Sequence, residues 1–489
     1  MPNLTAFGAT EYMDGALTLN VLKELFLRGT PSHGRGRSSR TRGSALTDFN
    51  DIEEEDRERR SECRDLLALD LTGCVSAVFV NALTEFVTAY LLPSTDSSSM
   101  NEDLLGDSIQ TNIAADEPLV LPGLKRLGLR GVKSILPRIL TPFVLAFPSL
   151  THLDLSGTRV TPNLLAALGN SPTVRLHSLA LARCTRLTSE SIKNFLVYSP
   201  VAATIVELSL YGDMTFTSPL SEDDLREILA FAPCFTDGNM VYLDLSSTPL
   251  TNELLLDICK PQLKLRSLGI SYIPNLELKV IADFLRTKAH HVEILTLVGT
   301  SPELDCRVRP GATLRHCSIA LHTQIIRPLC TPPFTFNLSS PSSPLPPPTR
   351  LRVIELATPM LAGLGVGAGS WRIVRSKGGR GWYVDTASGW VTTPSSVDGM
   401  MTAHDGNELR RDLDLDHPLR QEMERWANAN GNVSSGVGWH ARKMEVGFSF
   451  SFFSSLRSFT DPRSCMASEC LGERMACTVL FRLLTKAER

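Results

Sequence analysis

The sequence has little net charge and no regular arrangement of cysteines. Its 49 lysines and arginines are balanced by 52 aspartates and glutamates, which leaves a net charge of −3. Nothing in the overall charge therefore attracts nucleic acid or an anionic membrane. The 11 cysteines are an odd number spread over a long chain, and no C-x-x-C pair occurs. We therefore expect neither a disulfide framework nor a metal site, and no cofactor.

Long apolar runs are also missing. The most apolar stretch, Val75–Leu92, contains Asn81 and Glu85, which argues against a membrane span. The first residues, Met1–Gly15, lack the basic start and apolar block of a secretory signal. The basic block at Arg35–Arg42 has no interleaved aromatic residues, so specific nucleic-acid binding is not expected. We expect a protein of the cytoplasm, the nucleus or both, without a membrane partner.

Signatures of catalysis are absent too. Neither H-E-x-x-H nor G-x-S-x-G occurs, and the set of protein-kinase motifs is missing. The glycine-rich stretch Gly363–Ser370 is followed neither by a helix opening with lysine nor by a βαβ unit. We therefore predict that the chain is not an enzyme and assign no catalytic residue.

What the sequence does contain is a repeat. The stretch Leu150–Ser171 reads as a short strand, L-x-x-L-x-L, followed by a helix, and one such unit cannot bury its own apolar side. Ten copies are predicted, with central strand residues Leu25, Leu69, Leu127, Leu153, Leu179, Leu208, Leu243, Leu268, Leu295 and Ile354. From 127 to 295 the markers are 26, 26, 29, 35, 25 and 27 residues apart, and a period of about 20–29 residues is typical of leucine-rich repeats.

The helical halves carry a more specific resemblance. Val160–Leu168, Leu187–Phe195 and Leu250–Ile258 share one frame, and Cys74 and Cys184 occupy the ninth position of the repeat. With these features the chain resembles the cysteine-containing leucine-rich repeats of F-box proteins, within the ribonuclease-inhibitor-like group. The resemblance implies an α/β solenoid with a curved parallel sheet on its concave side and helices outside. It also implies buried structural roles for Leu153, Leu155, Cys74 and Cys184.

The same resemblance implies a recognition function, because such arrays bind proteins. We predict a non-catalytic scaffold that binds a protein partner on the concave face, and expect a monomer. One alternative is the substrate-recognition adaptor of a ubiquitin ligase, which would bind ligase subunits, although no F-box is found in this chain. A second alternative is a GTPase-activating protein of the Ran type, which the chain resembles in outline. That family's acidic tail and regular longer repeats are absent here.

Composition divides the chain further. We predict a solenoid over residues 1–300, with disordered inserts at about 31–62 and 93–118, and a Pro/Ser-rich insert at 301–349. The last repeat is placed at 350–360, a small tryptophan-rich β cap at 361–446 and a poorly ordered tail at 447–489. Within the cap, Trp371–Val374, Trp382–Asp385 and Trp390–Thr392 are predicted to form an antiparallel meander. Because an open first repeat would expose an apolar edge, we also hypothesise that the natural chain extends upstream of Met1.

Alternation along each strand predicts which residues face a partner. If the leucines of L-x-x-L-x-L point into the core, the residues between them lie on the concave surface. Tyrosine and arginine on a rigid surface are common anchors of protein interfaces. The predicted partner-binding residues are Arg126, Arg130, His152, Asp154, Tyr211, Tyr242 and Asp244.

Overall fold

The computed structural model of the protein describes most of the predicted repeats. The described residues are 3–9, 11–27, 59–60, 63–92, 119–305, 313–331, 348–375, 381–385, 390–393 and 408–411. The predicted insert at 93–118, most of the insert at 31–62 and the tail at 447–489 lie outside them. The described part of the chain contains no helix that is both long and apolar enough to span a membrane.

One sheet organises the described structure. It has twelve strands, and the first ten follow one another in chain order and run parallel. These strands are β1 Ala6–Gly8, β2 Ala68–Asp70, β3 Arg126–Gly128, β4 His152–Asp154, β5 Ser178–Ala180, β6 Glu207–Ser209, β7 Tyr242–Asp244, β8 Ser267–Gly269, β9 Ile294–Thr296 and β10 Val353–Leu356. The prediction of an α/β protein whose parallel strands alternate with helices is confirmed.

Helices connect the strands. They are α1 Leu19–Phe26, α2 Ala77–Tyr90, α3 Pro137–Leu145, α4 Pro162–Gly169, α5 Ser189–Tyr198, α6 Glu222–Phe231, α7 Pro233–Thr236, α8 Leu278–Thr287, α9 Leu314–Leu321, α10 Arg327–Cys330 and α11 Thr358–Gly363. Two π-helical segments, Leu254–Ile258 and His322–Ile326, and a 3-10 turn, Asp14–Ala16, are also present.

The strand centres lie in register. Leu69 pairs with Leu127, Leu127 with Leu153, and the same alignment continues to Leu295 and Ile354. These centres are buried in the same hydrophobic cluster as the inward residues of the helices. Successive side chains of a strand point to opposite faces. The residues immediately before and after each centre therefore share the other sheet face, which we call the far face.

A second ladder of hydrogen bonds runs beyond the strands. Four residues after the strand centre, the backbone N–H donates to a carbonyl of the next repeat, as in Gly157 to Ala182 (2.8 Å) and Arg183 to Tyr211 (3.0 Å). At this position the backbone is left-handed in seven repeats. The residues are Gly73, Gly131, Gly157, Arg183, Ser247, Tyr272 and Gly299, with φ between 56° and 80°. Neighbouring repeats are thus joined both within the strands and in the turns that follow.

The prediction for the first repeat is wrong in one respect. Leu25, which was expected at the centre of a strand, lies in α1, where Leu22, Leu25 and Phe26 are the buried face. The first strand is instead β1, whose Phe7 pairs with Leu69. Leucines three residues apart fit one face of a helix as well as the first half of L-x-x-L-x-L, so the pattern alone did not separate the two.

The C-terminal strands also differ from the predicted meander. Strands β11 (Trp371–Arg375) and β12 (Gly381–Asp385) form an antiparallel pair that extends the main sheet, because β12 pairs with β10. Strand β13 (Trp390–Thr393) pairs with β14 (Glu408–Arg411) in a separate two-stranded sheet. Inside the predicted insert at 301–349, residues 314–330 are helical.

Candidate functional site

The predicted partner-binding residues fall into three places on or beside the far face. Arg126 and His152 are aligned on adjacent strands β3 and β4 and are half-buried. Tyr242 and Asp244 flank the centre of β7 and are buried. Arg130, Asp154 and Tyr211 are the set that the structure brings together, because all three line one cavity at the carboxyl ends of β3–β6.

That cavity results from two small side chains between larger ones. Ala180 at the end of β5 lies between Asp154 and Ser209 in the strand register. Two residues on, Ala182 takes the matching position in the turn. The resulting notch has a volume of about 110 Å³. Drug-sized ligands occupy pockets of about 300–1,000 Å³, so the notch suits a single side chain better than a metabolite.

Arg183 forms the rim of the notch. Its Nη2 atom lies 2.5 Å from Oδ2 of Asp213, and its guanidinium lies 5.4 Å from the ring centroid of Tyr211. Burial, followed by the nearby Tyr272, raises the pKa of Tyr211 to about 12, and the hydrogen bond from Arg183 opposes that rise. Tyr211 is therefore neutral at physiological pH. The Arg183 side chain is still 46 % exposed, so it is held in place while remaining accessible.

Next to the notch, the turn after β6 is extended into a structured loop, Gly212–Ser218. Asp213 Oδ1 accepts hydrogen bonds from the backbone of Thr215 (2.8 Å) and Phe216 (2.7 Å). The backbone N–H of Asp213 donates to the Phe216 carbonyl (2.9 Å). The loop nevertheless leaves Met214 81 % and Phe216 45 % exposed. Two apolar side chains are thus presented to solvent on a locally fixed backbone.

The acidic residues of the far face are engaged locally. In Asp70, Asp154 and Asp244, the carboxylate accepts a hydrogen bond from the backbone N–H two residues later. Asp244 also accepts from the hydroxyl of Ser246 at 2.6 Å, and its carboxylate occupies the space above Gly269. These aspartates fix the turns at the strand ends. Burial raises the pKa of Tyr242 well above its usual value, so the phenol beside Asp244 stays neutral.

His152 is a neutral polar group of this face. Burial, then the positive charge of Arg126 and the nearby His177, lowers the pKa of His152 to about 3. Its Nδ1 atom lies 2.8 Å from the hydroxyl of Thr151, and its ring stacks on His177 with centroids 6.4 Å apart. At neutral pH it offers a partner an uncharged imidazole.

The cysteines of the repeat are inert thiols in the core. Cys74 and Cys184 are buried, and burial raises the pKa of each to about 12. The Cys184 thiol donates to the carbonyl of Leu155 at 3.2 Å. Because the thiolate is the reactive form, neither thiol is a nucleophile at neutral pH. Leu153 and Leu155 are likewise fully buried.

Sequence reasoning missed two parts of this site. The seven predicted partner-binding residues do not include Arg183, and no prediction covers the loop with Met214 and Phe216. Both left a signal in the sequence. The repeat from Leu208 to Leu243 is 35 residues long where its neighbours are 29 and 25, and L-A-L-A-R-C at 179–184 has alanine at both far-face positions. Exposure itself, however, cannot be read from a repeat pattern.

Comparison with known proteins gives no independent identification. No protein-family model matches the sequence, and a search of curated proteins finds no matching sequence. Among the residues that the structure describes, no three His, Cys, Asp or Glu side chains form a group that could hold a metal ion.

Proposed function

We propose that this protein is a leucine-rich-repeat scaffold that binds another protein along the far face of its sheet and does no catalysis. The architecture supports this proposal. Ten parallel strands in register span about 45 Å at a strand spacing of about 4.8 Å, which is a length suited to a polypeptide. In a leucine-rich-repeat protein the far face is the concave one, as the resemblance implies.

The single observation that carries the proposal is the meeting of Arg130, Asp154 and Tyr211 at the notch. These residues come from three different repeats, yet parallel register places them around one cavity together with Arg183. Arginine and tyrosine on fixed elements are typical anchors of interfaces. Rigid anchors lose little conformational freedom on binding, which favours affinity.

Site-specific photo-cross-linking tests the proposal. A photoreactive phenylalanine analogue placed at Arg126, His152 or Tyr211 in cells should capture the same protein partner. The matched controls are Tyr198, Phe231 and Ile319, which are exposed on helices and should capture none. A partner captured from the helix positions and never from the far face would contradict the proposal.

The two alternative functions stay predictions. Adaptor function in a ubiquitin ligase predicts that cullin and linker subunits co-purify with the protein. Ran-type activation predicts faster GTP hydrolysis by a small GTPase when the protein is added.

A further inference from the structure

We infer that the notch and the Gly212–Ser218 loop together form a docking site for a short peptide segment that carries a carboxylate side chain next to an apolar one. This inference rests on the proposed function and names the partner's chemistry. The two halves of the site are adjacent, because Tyr211 lines the notch and Met214 follows three residues later. Their Cα atoms are therefore at most about 11 Å apart.

The first argument is backbone strain at the rim. The turn position that Arg183 occupies is glycine in four of the seven left-handed repeats. Only glycine adopts this backbone conformation without cost. Arg183 has this conformation (φ 56°) despite the steric cost of its side chain. As a result, its guanidinium lies at the rim of the notch. Strained residues of this kind concentrate at functional sites.

The second argument is hydrogen-bonding capacity and size. Arg130, Arg183 and Asp154 are the charged residues that line the notch, and with Asp213, which pairs with Arg183, the charges balance, so an acid would be recognised by guanidinium donors and not by net charge. A guanidinium has five N–H donors in a planar fork that matches a carboxylate. Asp213 pairs with Nη2 of Arg183. This contact holds the guanidinium of Arg183 in place and does not use all five of its N–H donors. The volume of about 110 Å³ admits one acidic side chain.

The third argument is the exposure of Met214 and Phe216. The turn between β4 and α4 is complete in residues 155–161, whereas the turn between β6 and α6 takes residues 210–221. The extra residues are not needed to reach the helix, and they expose two large apolar side chains at a cost in hydration free energy. Methionine and aromatic residues are enriched where proteins meet. A partner's apolar side chain, beside its carboxylate, would cover them.

The test uses the full-length protein and a phage-displayed library of random dodecapeptides. Selected peptides should share an aspartate or glutamate within a few positions of a large apolar residue. Their affinity, measured by fluorescence polarisation, should fall at least about tenfold when that acid is changed to its amide. Failure to enrich any peptide, or a consensus without an acid, would overturn the inference.

Variants of the protein then locate the site. Arg183→Gly should weaken binding at least about tenfold, because it removes the guanidinium. Relief of the left-handed backbone offsets the loss of the ion pair with Asp213, so the melting temperature should change little. Ala182→Leu, which fills the notch, and the double change Met214→Ala with Phe216→Ala should weaken it similarly. Arg226→Ala and Phe231→Ala remove an arginine and an exposed aromatic from α6 and should have no effect.

The outcomes separate this inference from the proposed function. If a cross-linker at His152 captures a protein partner and the Arg183→Gly variant binds that partner as tightly as the unaltered protein, the far face is the interface and the docking site is wrong. Loss of binding accompanied by a lower melting temperature in Arg183→Gly would also count against it, because a structural role would explain that result.

Discussion

Four residues after the strand centre, the chain of seven repeats turns left-handed on the way to its helix, and there, as at Gly157, the backbone N–H bonds to the next repeat. Glycine does this without steric cost, and Gly157 is a typical case, with φ 68°. Arg183, Ser247 and Tyr272 do the same with a side chain attached. At the residue scale, the protein therefore combines relaxed turns with strained ones, and one of the strained residues, Arg183, lines the notch.

Exchanging residues between these two classes should change stability in opposite directions. Gly157→Ala should destabilise the fold by about 1 kcal/mol, since a left-handed backbone is unfavourable for alanine. The added Cβ itself has room, because its nearest neighbours are Gly131 atoms at 3.7 Å. Ser247→Gly should raise the melting temperature by relieving the same strain. Thermal unfolding of both variants checks the signs, and a shift in the same direction for both would contradict this account.

His152 predicts a pH dependence. Its folded pKa of about 3 lies below the usual value of about 6.5 in the unfolded chain, so between these two pH values the unfolded state binds more protons. Stability should therefore fall as the pH is lowered from 6.5 towards 3, by at most about 1.4 kcal/mol per pH unit from this residue. In His152→Gln, urea unfolding between pH 7 and 5 should show a weaker pH dependence. An unchanged slope would refute the assignment.

At the element scale, buried polar side chains join one element to the next. Asp14, in the 3-10 turn before α1, is buried. Its Oδ2 atom accepts the backbone N–H groups of Val75 (2.7 Å) and Ser76 (2.6 Å) at the start of α2. A carboxylate there is also stabilised by the helix dipole. The first repeat is thus attached to the second through a charged hydrogen-bond acceptor as well as through the sheet.

Asp14→Ala should therefore lower the free energy of unfolding by about 2 kcal/mol, since it leaves two partly buried hydrogen bonds to backbone N–H groups unmade. Asp14→Asn keeps an amide oxygen and should lose less. Chemical denaturation ranks the two variants against the unaltered protein. Equal losses would mean that the negative charge of the carboxylate, and not merely an acceptor oxygen at this place, is what matters.

The elements also show how far the sequence could predict the fold. Nine of the ten markers are strand centres because leucine spacing reports directly on burial. Around Ala6–Gly8, the pattern of Leu4, Phe7 and Ala9 predicts only a degraded half of a strand, since the L-x-x-L-x-L spacing is missing there. Similarly, alternation alone placed Arg130, Asp154 and Tyr211 on one face of the sheet together with the four other predicted residues, but it did not group these three. The notch itself depends on the small volumes of Ala180 and Ala182, which a search for polar residues passes over.

At the scale of the whole molecule, stability should depend mainly on contacts between neighbouring repeats. Each parallel strand of the described sheet bonds only to the strands beside it, and in repeat arrays the total stability is close to a sum of such local contributions. At the C-terminal side, β12 closes the series by pairing antiparallel with β10. A destabilising substitution in β12 should therefore lower the stability of the adjacent strands and leave distant repeats folded.

Tyr383 is the residue with which to test this. It is fully buried in β12, its ring lies 5.2 Å from that of Trp371, and its hydroxyl accepts the backbone N–H of Ala368 at 3.0 Å. Tyr383→Ala should cost about 3–5 kcal/mol locally, as for other large aromatic truncations in a core.

Hydrogen exchange of the backbone amides should show which strands lose stability in this variant. In Tyr383→Ala, amides of β9, β10 and β12 should exchange faster, while those of β2–β5 keep the protection that they have in the unaltered protein. The matched change Leu153→Ala, in the centre of β4, should have the reverse pattern, with faster exchange around β3–β5 and little change at β12. If either variant loses protection evenly through all twelve strands, the sheet unfolds as one unit and nearest-neighbour stability is wrong for this protein.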